Sequence, residues 1–214
     1  MEIKFDRKEI LRYMDVLYCD ARLDEMIDRA EKEVISVSKP RYISKYISLQ
    51  PDPSSGQVKL AGTIVFSLDL AKHLRGCSEG VLLACTLGAD VDRLVKRYSI
   101  TEPPMLPVIQ SVSASYIELY IDYVQKDIED QAAKKNLFLR PRYSPGYGDF
   151  ELNNQRFIFD FLEITKRIGV GLTEHYLMVP TKSVTAIIGL SDNPLTCNVN
   201  KCLSCKKNNC PFRR

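Results

Sequence analysis

The amino-acid sequence predicts an α+β fold. It consists of one domain, residues 1–195, with a mainly antiparallel twisted sheet flanked by helices, and a short cysteine-rich C-terminal tail, residues 196–214. Segments with strand-like and helix-like apolar spacing follow one another without the regular alternation of parallel α/β proteins. A loop rich in proline and serine, residues 51–56, separates two strand-like runs and indicates a hairpin. A chain of 214 residues is long enough for one sizeable hydrophobic core.

The first half of the chain predicts helices and strands in a mixed order. Asp6 is a candidate N-cap for the first helix and Ser67 for the third, which ends at Gly76. In chain order, the predicted elements are a helix at 6–14, a helix at 23–37, strands at 42–49 and 58–66, a helix at 67–76, a strand at 79–86, and a helix that follows Gly88 and contains residues 91–98.

The second half predicts one long helix, a glycine-rich loop, a further helix and two strands. A proline-rich connector precedes the long helix and is a candidate hinge, since proline is acceptable at the first position of a helix. The predicted segments are the connector at 100–107, the long helix at 107–134, a helix at 154–168 capped by Asn153 or Asn154, and two adjacent strands at 174–179 and 183–190.

Composition and charge argue against several classes of function. The net charge of +3 is spread along the chain, and no basic stripe interleaved with aromatic residues indicates nucleic-acid binding. No apolar run has the length of a membrane span, and the first residues do not begin a signal peptide, so a cytoplasmic location without membrane association is expected. The two histidines, His73 and His175, belong to no nucleophile or zinc-hydrolase pattern, so hydrolytic chemistry has little support and no catalytic residue is predicted.

Residues 142–149 combine a cation, a proline, two glycines and two aromatic side chains. Pro145 fixes its own backbone and favours an extended Ser144, while the glycines adopt conformations closed to other residues. The loop therefore has one defined shape, with Arg142 at its entrance and Tyr147 beyond the turn. This arrangement suits recognition of a carboxylate by a guanidinium, beside an aromatic face for a cation. An ordinary Pro-Gly turn with a surface arginine is the alternative interpretation.

The loop and the residues after it resemble a known family, the activation domain of cobalamin-dependent methionine synthase. The resemblance covers about residues 111–190, whereas the first hundred residues are only compatible with it. The matching motifs, in order, are Arg142-x-x-x-Gly146-Tyr147, which resembles the family's S-adenosylmethionine-binding motif, a helix that leads into Gly169, Leu-Thr-Glu at 172–174, Met-x-Pro at 178–180, and a Ser-Val strand that begins at Ser183.

The resemblance implies a free-standing reactivation subunit that binds S-adenosylmethionine. Family members present its methyl group to a cobalamin held by another domain, after a reductant such as flavodoxin or ferredoxin has supplied one electron to inactive Co(II). The chain has no room for cobalamin, folate or homocysteine modules, so the implied partner is a separate methionine synthase that lacks its own activation domain. Methyl transfer would occur at the partner's cobalt, which leaves open whether this chain is itself an enzyme.

The resemblance also implies roles for individual residues. Arg142 would bind the ligand's carboxylate, the backbone from Ser144 to Gly146 would bind adenosine, and Tyr147 would shape the pocket. Glu118 matches a family glutamate that faces the ligand and would take its amino group or a ribose hydroxyl, whereas helical periodicity alone predicts a solvated carboxylate there.

The small side chains of Ser111 and Ser115 would leave room for the ligand beside Glu118. The sequence departs from the family in two places. The family's adjacent Tyr-Tyr has no counterpart and would fall near Cys197 and Asn198, and its N-terminal ligand-binding aspartate has no assigned match.

Four cysteines near the C-terminus, Cys197, Cys202, Cys205 and Cys210, have spacing typical of a metal site. Thiolates within so short a segment can hold structural zinc or an iron–sulfur cluster, and reduced thiols without metal are the alternative. The spacing does not separate zinc from iron–sulfur. Isolated cysteines in or near apolar segments, Cys19, Cys77 and Cys85, predict buried structural thiols.

Two other functions remain open at this point. The first is a non-catalytic docking module for a corrinoid protein, in which the fold has lost its ligand. The second is an activator of a corrinoid methyltransferase other than methionine synthase.

Overall fold

The structure is a computed structural model of the chain and describes residues 3–193. Its helices are α1 (Arg7–Tyr13), α2 (Ala21–Val37), α3 (Leu68–His73), α4 (Ala89–Thr101), α5 (Leu106–Ala133), α6 (Gln155–Leu162) and α7 (Ile164–Ile168). Its strands are β1 (Arg41–Asp52), β2 (Gln57–Leu60), β3 (Thr63–Phe66), β4 (Glu79–Thr86), β5 (Phe138–Leu139), β6 (Gly171–Leu172), β7 (Met178–Val179) and β8 (Ser183–Ser191).

One sheet organises the described residues. Its strand order is β3-β2-β1-β4-β8-β5, and every neighbouring pair is antiparallel. β6 and β7 form a separate antiparallel ribbon. The predicted α+β class with a mainly antiparallel sheet is therefore confirmed.

Helices cover both faces of this sheet and create two cores. One core contains side chains of α1, α2, α4 and α5, and the other contains side chains of α3, α6 and α7. β4 contributes to both, because Val81 and Leu83 lie in the first core and Leu82 and Ala84 in the second. A strand buried on both faces has apolar residues at consecutive positions, which is the pattern that the sequence shows there.

α5 is the longest helix and is largely buried in the first core. Ser111, Ser113 and Ser115 are all buried, and the hydroxyl of Ser113 donates to the carbonyl of Ile109 at 2.6 Å. The prediction that Ser111 and Ser115 leave room for a ligand is wrong for this structure, because neither lines the cleft described below.

Two predicted elements are divided by residues with positive φ. The predicted strand at 58–66 is two strands, because Ala61 and Gly62 turn the chain with φ of 49° and 94°. The predicted helix at 154–168 is broken at Glu163, whose φ is 54°. A left-handed conformation at a non-glycine residue is uncommon, so residue type did not indicate the conformations of Ala61 and Glu163, whereas Gly62 is a residue type that permits such a turn.

Two other segments differ from the prediction. The connector at 100–107 is not a hinge, because α4 continues to Thr101, a single 3-10 turn follows at Pro103–Met105, and Met105 is fully buried. The predicted strand at 174–179 is only β7, which pairs with β6 and not with β8.

The division between domain and tail at residue 195 stays a prediction, since residues 194–214 lie outside the described part of the chain. Among residues 3–193, none of the helices combines the length and apolar character required to cross a membrane.

The close packing of the central strands at Gly80 gives a testable prediction. A Cβ there would lie 2.6 Å from Cδ1 of Leu49 and 2.7 Å from the carbonyl oxygen of Ile188. We expect Gly80→Ala to lower the free energy of unfolding by about 2 kcal/mol, measured by urea denaturation. Gly171→Ala is the matched control, since its Cβ would lie 3.8 Å from the nearest atom, and its effect should stay within about 0.5 kcal/mol. Equal effects of the two substitutions would contradict the packing argument.

Candidate functional site

A cleft of about 1210 Å³ lies between the two helical layers. The glycine-rich loop and the residues that lead into it form part of its wall. Its lining comes from α1 (Arg12, Tyr13), α3 (Asp69, Lys72, His73), α5 (Glu118, Asp122, Gln125), residues 140–144 and 146–148, and Val184 at the start of β8. All five predicted ligand-binding residues, Arg142, Ser144, Gly146, Tyr147 and Glu118, lie in this lining.

The segment that carries Arg142 is held against β8 by backbone hydrogen bonds. The amide of Arg140 donates to the carbonyl of Gly189 at 2.8 Å. Tyr143 and Ile187 exchange amide-to-carbonyl bonds of 2.9 and 2.8 Å. On the other side of the segment, Nε2 of His73 lies 2.7 Å from the carbonyl oxygen of Pro141. The backbone around Arg142 is thus fixed on both sides.

The loop beyond this segment is closed by its own backbone. The amide of Gly146 donates to the carbonyl of Phe150 at 2.7 Å, and the amide of Tyr147 to that of Ser144 at 3.1 Å. Gly146 and Gly148 have φ of 93° and 54°, where side chains are strained. A Cβ on Gly148 would also collide with the carboxylate of Asp69 and the hydroxyl of Tyr143. The predicted defined loop is therefore present, with glycine required at 148.

Asp149 attaches the loop to the start of α3. Its carboxylate accepts hydrogen bonds from the Ser67 hydroxyl and from the amides of Leu68 and Asp69, at 2.8 and 3.1 Å for the two amides. The Ser67 hydroxyl in turn accepts from the amide of Leu70 and caps α3, as predicted. The hydrogen bond from Ser67, with the backbone amides, holds the pKa of Asp149 below its ordinary value of 3.8.

Arg142 is surrounded by acceptors from one face of α5. Its Nη1 donates to Oδ1 of Asp122 at 2.7 Å and to Oε1 of Gln125 at 2.8 Å, and its Nη2 donates to Oε2 of Glu118 at 3.2 Å. The exposed fractions of the side chains are 19% for Arg142, 33% for Glu118 and 55% for Asp122. Glu118 is thus an ion-pair partner on the cleft wall and not the freely solvated carboxylate that periodicity alone predicted.

The other loop side chains have distinct surroundings. The hydroxyl of Ser144 donates to the carbonyl of Thr185 at 2.7 Å, so its side chain ties the loop to β8. Tyr147 is 57% exposed, and its ring meets the buried Tyr143 ring edge-on at 6.0 Å between centroids. Burial raises the pKa of Tyr143 to about 12, so its hydroxyl keeps its proton at neutral pH.

Sequence reasoning missed the cleft residues of α1 and α3. Arg12 and Tyr13 come from the end of a short helix, with the guanidinium of Arg12 5.0 Å from the centre of the Tyr13 ring. Asp69 and Lys72 lie on α3 beside His73. No local pattern distinguishes these side chains from solvated helix residues, because only the tertiary fold brings them to the loop.

The sequence predicted that both histidines are surface or core residues and that the three isolated cysteines are buried. One of these residues, Cys19, differs from the prediction. His73 is hydrogen-bonded inside the fold and His175 is exposed. Cys77 and Cys85 are buried, and burial raises the pKa of Cys85 to about 12, which makes its thiol a poor nucleophile. Cys19 was predicted to be buried but is partly exposed.

No metal-binding cluster of three or more His, Cys, Asp or Glu side chains occurs within residues 3–193. The predicted metal ligands Cys197, Cys202, Cys205 and Cys210 lie outside the described residues.

The anchoring of the loop by Asp149 predicts a pH-dependent contribution to stability. Because its pKa is lower in the folded chain than its ordinary value, this contribution is present at neutral pH and is lost as the pH falls below about 4. Asp149→Asn should therefore show a smaller difference in unfolding free energy between about pH 7 and about pH 3 than the wild type, by urea denaturation. Asp130→Asn, at an exposed site of α5, should retain the wild-type difference, and an unchanged difference in Asp149→Asn would refute the assignment.

Comparisons with known proteins found similarity to one protein family and to solved structures. Residues 119–206 match the family model described as "Vitamin B12 dependent methionine synthase, activation domain". That match contains the whole loop and β8, but it begins just after Glu118. A search among curated proteins found no match.

Among the solved structures with a similar fold is one described as "Crystal Structure of the MetH Reactivation Domain bound to AdoHcy". The match has a TM-score of 0.66, 13% sequence identity, and covers 86% of this chain and 73% of that chain. At this identity the similarity concerns the fold. Residues 119–206 are thus similar in sequence to the activation domain of vitamin B12 dependent methionine synthase, and the fold of the chain is similar to that of the solved reactivation domain.

Proposed function

We propose that this protein is an S-adenosylmethionine-binding reactivation subunit, which supports the reductive methylation of oxidised cobalamin on a separate methionine synthase. The observation that carries the proposal is the position of Arg142. The arginine of the family's motif lies in a cleft of ligand size, opposite Glu118, on a fold similar to that of a domain solved with AdoHcy. At about 1210 Å³ the cleft is somewhat larger than the about 300–1,000 Å³ that ligand pockets usually enclose, so it has room for a ligand of this size.

The guanidinium of Arg142 suits the ligand's carboxylate. Within the described part of the chain, its Nη1 and Nη2 have acceptors on α5, whereas its Nε has none. Nε and the neighbouring terminal nitrogen form the side edge of the guanidinium, which can bind a carboxylate through two parallel hydrogen bonds. Glu118 supplies a carboxylate for the ligand's amino group or a ribose hydroxyl on the same wall.

The rest of the cleft suits adenosine. Tyr147 at the rim and Tyr143 beneath it offer aromatic surface. The backbone of residues 144–146 offers further polar groups, since the loop is held in one conformation by its own hydrogen bonds. The predicted roles of Ser144 and Gly146 are therefore backbone roles, as the side chain of Ser144 is already bonded to Thr185.

The chemistry assigned to this chain is positioning. In the proposed reaction, the bond between the sulfonium sulfur and its methyl carbon would break, the methyl group would pass to the reduced cobalt of the partner, and S-adenosylhomocysteine would remain in the cleft. One electron from a donor such as flavodoxin or ferredoxin must reach the partner's cobalt beforehand. No acid or base is required at the methyl group, so holding it close to the acceptor is the chain's main contribution.

Calorimetric titration with S-adenosylmethionine tests the proposal. Arg142→Ala should weaken binding by about 100-fold, because it removes two charge-assisted hydrogen bonds. Arg142→Lys should restore only part of the affinity, since an ammonium lacks the planar fork. Arg93→Ala, at an exposed site of α4, is the control and should bind as the wild type does. Wild-type affinity in Arg142→Ala would overturn the placement of the ligand.

A second candidate is the docking module for a corrinoid protein without a ligand of its own. The observation that favours it is that Arg142 already has acidic partners in the chain. A folded wild type that binds the partner but no S-adenosylmethionine would support this function. An activator of another corrinoid methyltransferase would share the ligand and differ in its partner, which affinity capture would identify.

We also propose that Cys197, Cys202, Cys205 and Cys210 hold one metal centre. Four thiolates at this spacing fit structural zinc or an iron–sulfur cluster. Zinc would link the four cysteines of the tail to one another and stabilise its structure. An iron–sulfur cluster could carry one electron towards the partner's cobalt. The neighbouring Lys201, Lys206 and Lys207 would offset the negative charge of the thiolates.

Metal analysis of anaerobically purified protein tests this site. We expect about one centre per chain, lost in Cys202→Ser and retained in Cys19→Ser. A brown protein with visible absorption would identify iron–sulfur, and a colourless protein with zinc would exclude a role for the tail in electron transfer. Equal metal content in the wild type and Cys202→Ser would contradict the proposal.

A further inference from the structure

We infer that Asp122 makes the cleft favour the sulfonium ligand, S-adenosylmethionine, over its thioether product, S-adenosylhomocysteine. This inference rests on the proposed function and extends it to a residue that neither the family motif nor the sequence pattern indicated. Asp122 lies one helical turn after Glu118 on α5, and both carboxylates contact the same guanidinium.

The charges around Arg142 do not balance within its own cluster. One guanidinium is in contact with two carboxylates, so this cluster carries an excess of one negative charge. Gln125 adds a neutral acceptor to the same nitrogen as Asp122. The other charged side chains of the cleft, Arg12, Lys72, Arg140 and Asp69, come from α1, α3 and the start of the loop segment. The acidic excess is therefore local to the α5 wall.

This acidic excess affects how the ligand's carboxylate would bind. On the side edge of Arg142 it would meet one favourable cation and two nearby carboxylates. A ligand carboxylate alone would gain little from such a cluster, because like charges repel at these distances. The ligand must therefore bring its own positive charge towards α5.

The two ligands differ in charge. Both carry an α-ammonium group beside the carboxylate, and this group can face Glu118. S-Adenosylmethionine also carries a sulfonium charge, separated from the α-carbon by two methylene groups, whereas the product is an uncharged thioether. The second carboxylate, Asp122, is matched in charge only by the sulfonium ligand. Loss of the methyl group removes that match, so the product leaves more readily.

The partial exposure of the cluster sets the size of the effect. With Asp122 55% exposed, solvent screens its field, so its single unit charge should change cation affinity by only about three- to tenfold. The effect should shrink at high ionic strength, since exposed charges are screened within about 10 Å at 0.1 M salt. Asp122 is thus a specificity-determining residue, not a catalytic one.

Calorimetric titration of the full chain with S-adenosylmethionine, S-adenosylhomocysteine and 5′-methylthioadenosine tests this inference. The ratio of affinities for the first two ligands should fall by about three- to tenfold in Asp122→Asn, mainly through weaker binding of S-adenosylmethionine. Methylthioadenosine, which lacks the amino-acid part, should bind the wild type and Asp122→Asn equally. Asp130→Asn removes the same charge from the same helix outside the cleft and should leave the ratio unchanged.

Gln125→Leu separates charge from positioning. It removes an acceptor of Arg142 without changing charge, so it should weaken both amino-acid ligands by the same factor and leave their ratio unchanged. An unchanged ratio in Asp122→Asn, with both ligands still bound, would overturn the inference and leave the proposed function intact. A wild type that binds neither S-adenosylmethionine nor S-adenosylhomocysteine would overturn both.

Discussion

The pairing of residues 138–143 with β8 is the constraint on which the candidate site depends. Neighbouring residues of an extended segment point to opposite sides, so this pairing sends Arg142 towards α5 and Tyr143 into the core beneath α3. The segment also forms the edge of the sheet, where both helical layers are within reach. A shift of one residue in this register would exchange the two side chains and remove the arginine from its acidic partners.

Most polar groups of the site are already hydrogen-bonded within the chain. Arg142 has three acceptors on α5, Ser144 is bonded to β8, and Asp149 accepts bonds from the start of α3. Such a site is held in position before a ligand arrives, which reduces the ordering that binding requires. The same bonds mean that Arg142 is not a free cation, because Asp122 and Glu118 already neutralise its charge. A ligand that places its carboxylate on Arg142 must therefore also bring positive charge towards these two carboxylates.

The sequence predicted the central strands and the site residues for different reasons. β4 and β8 were predicted almost to their ends, because strands buried on both faces have apolar residues at consecutive positions. The five ligand residues were identified by resemblance, and the structure places them in one cleft, although their roles in binding stay predictions. Helical periodicity alone did not indicate a role for Glu118, because its partner Arg142 is distant in sequence.

What the sequence did not predict depends on backbone conformation or distant contacts. The turn at Ala61 and the break at Glu163 use left-handed conformations at residues that give no local sign of them. The apolar spacing continues across Glu163, so the pattern predicts one helix where there are two. Arg12 and Tyr13 reach the cleft only because α1 packs against α5, a contact between residues about one hundred positions apart.

The bond between Asp149 and α3 has a further consequence, for how the cleft forms during folding. The carboxylate is bound by groups some eighty residues earlier in the chain, so the rim of the cleft exists only when both halves have folded together. The entropy of closing a chain segment grows only with the logarithm of its length, so fixing the loop to a distant helix is scarcely less favourable than fixing it to a near one. The position of the glycine-rich loop thereby depends on the global fold, and local unfolding of α3 would release the loop from its anchor.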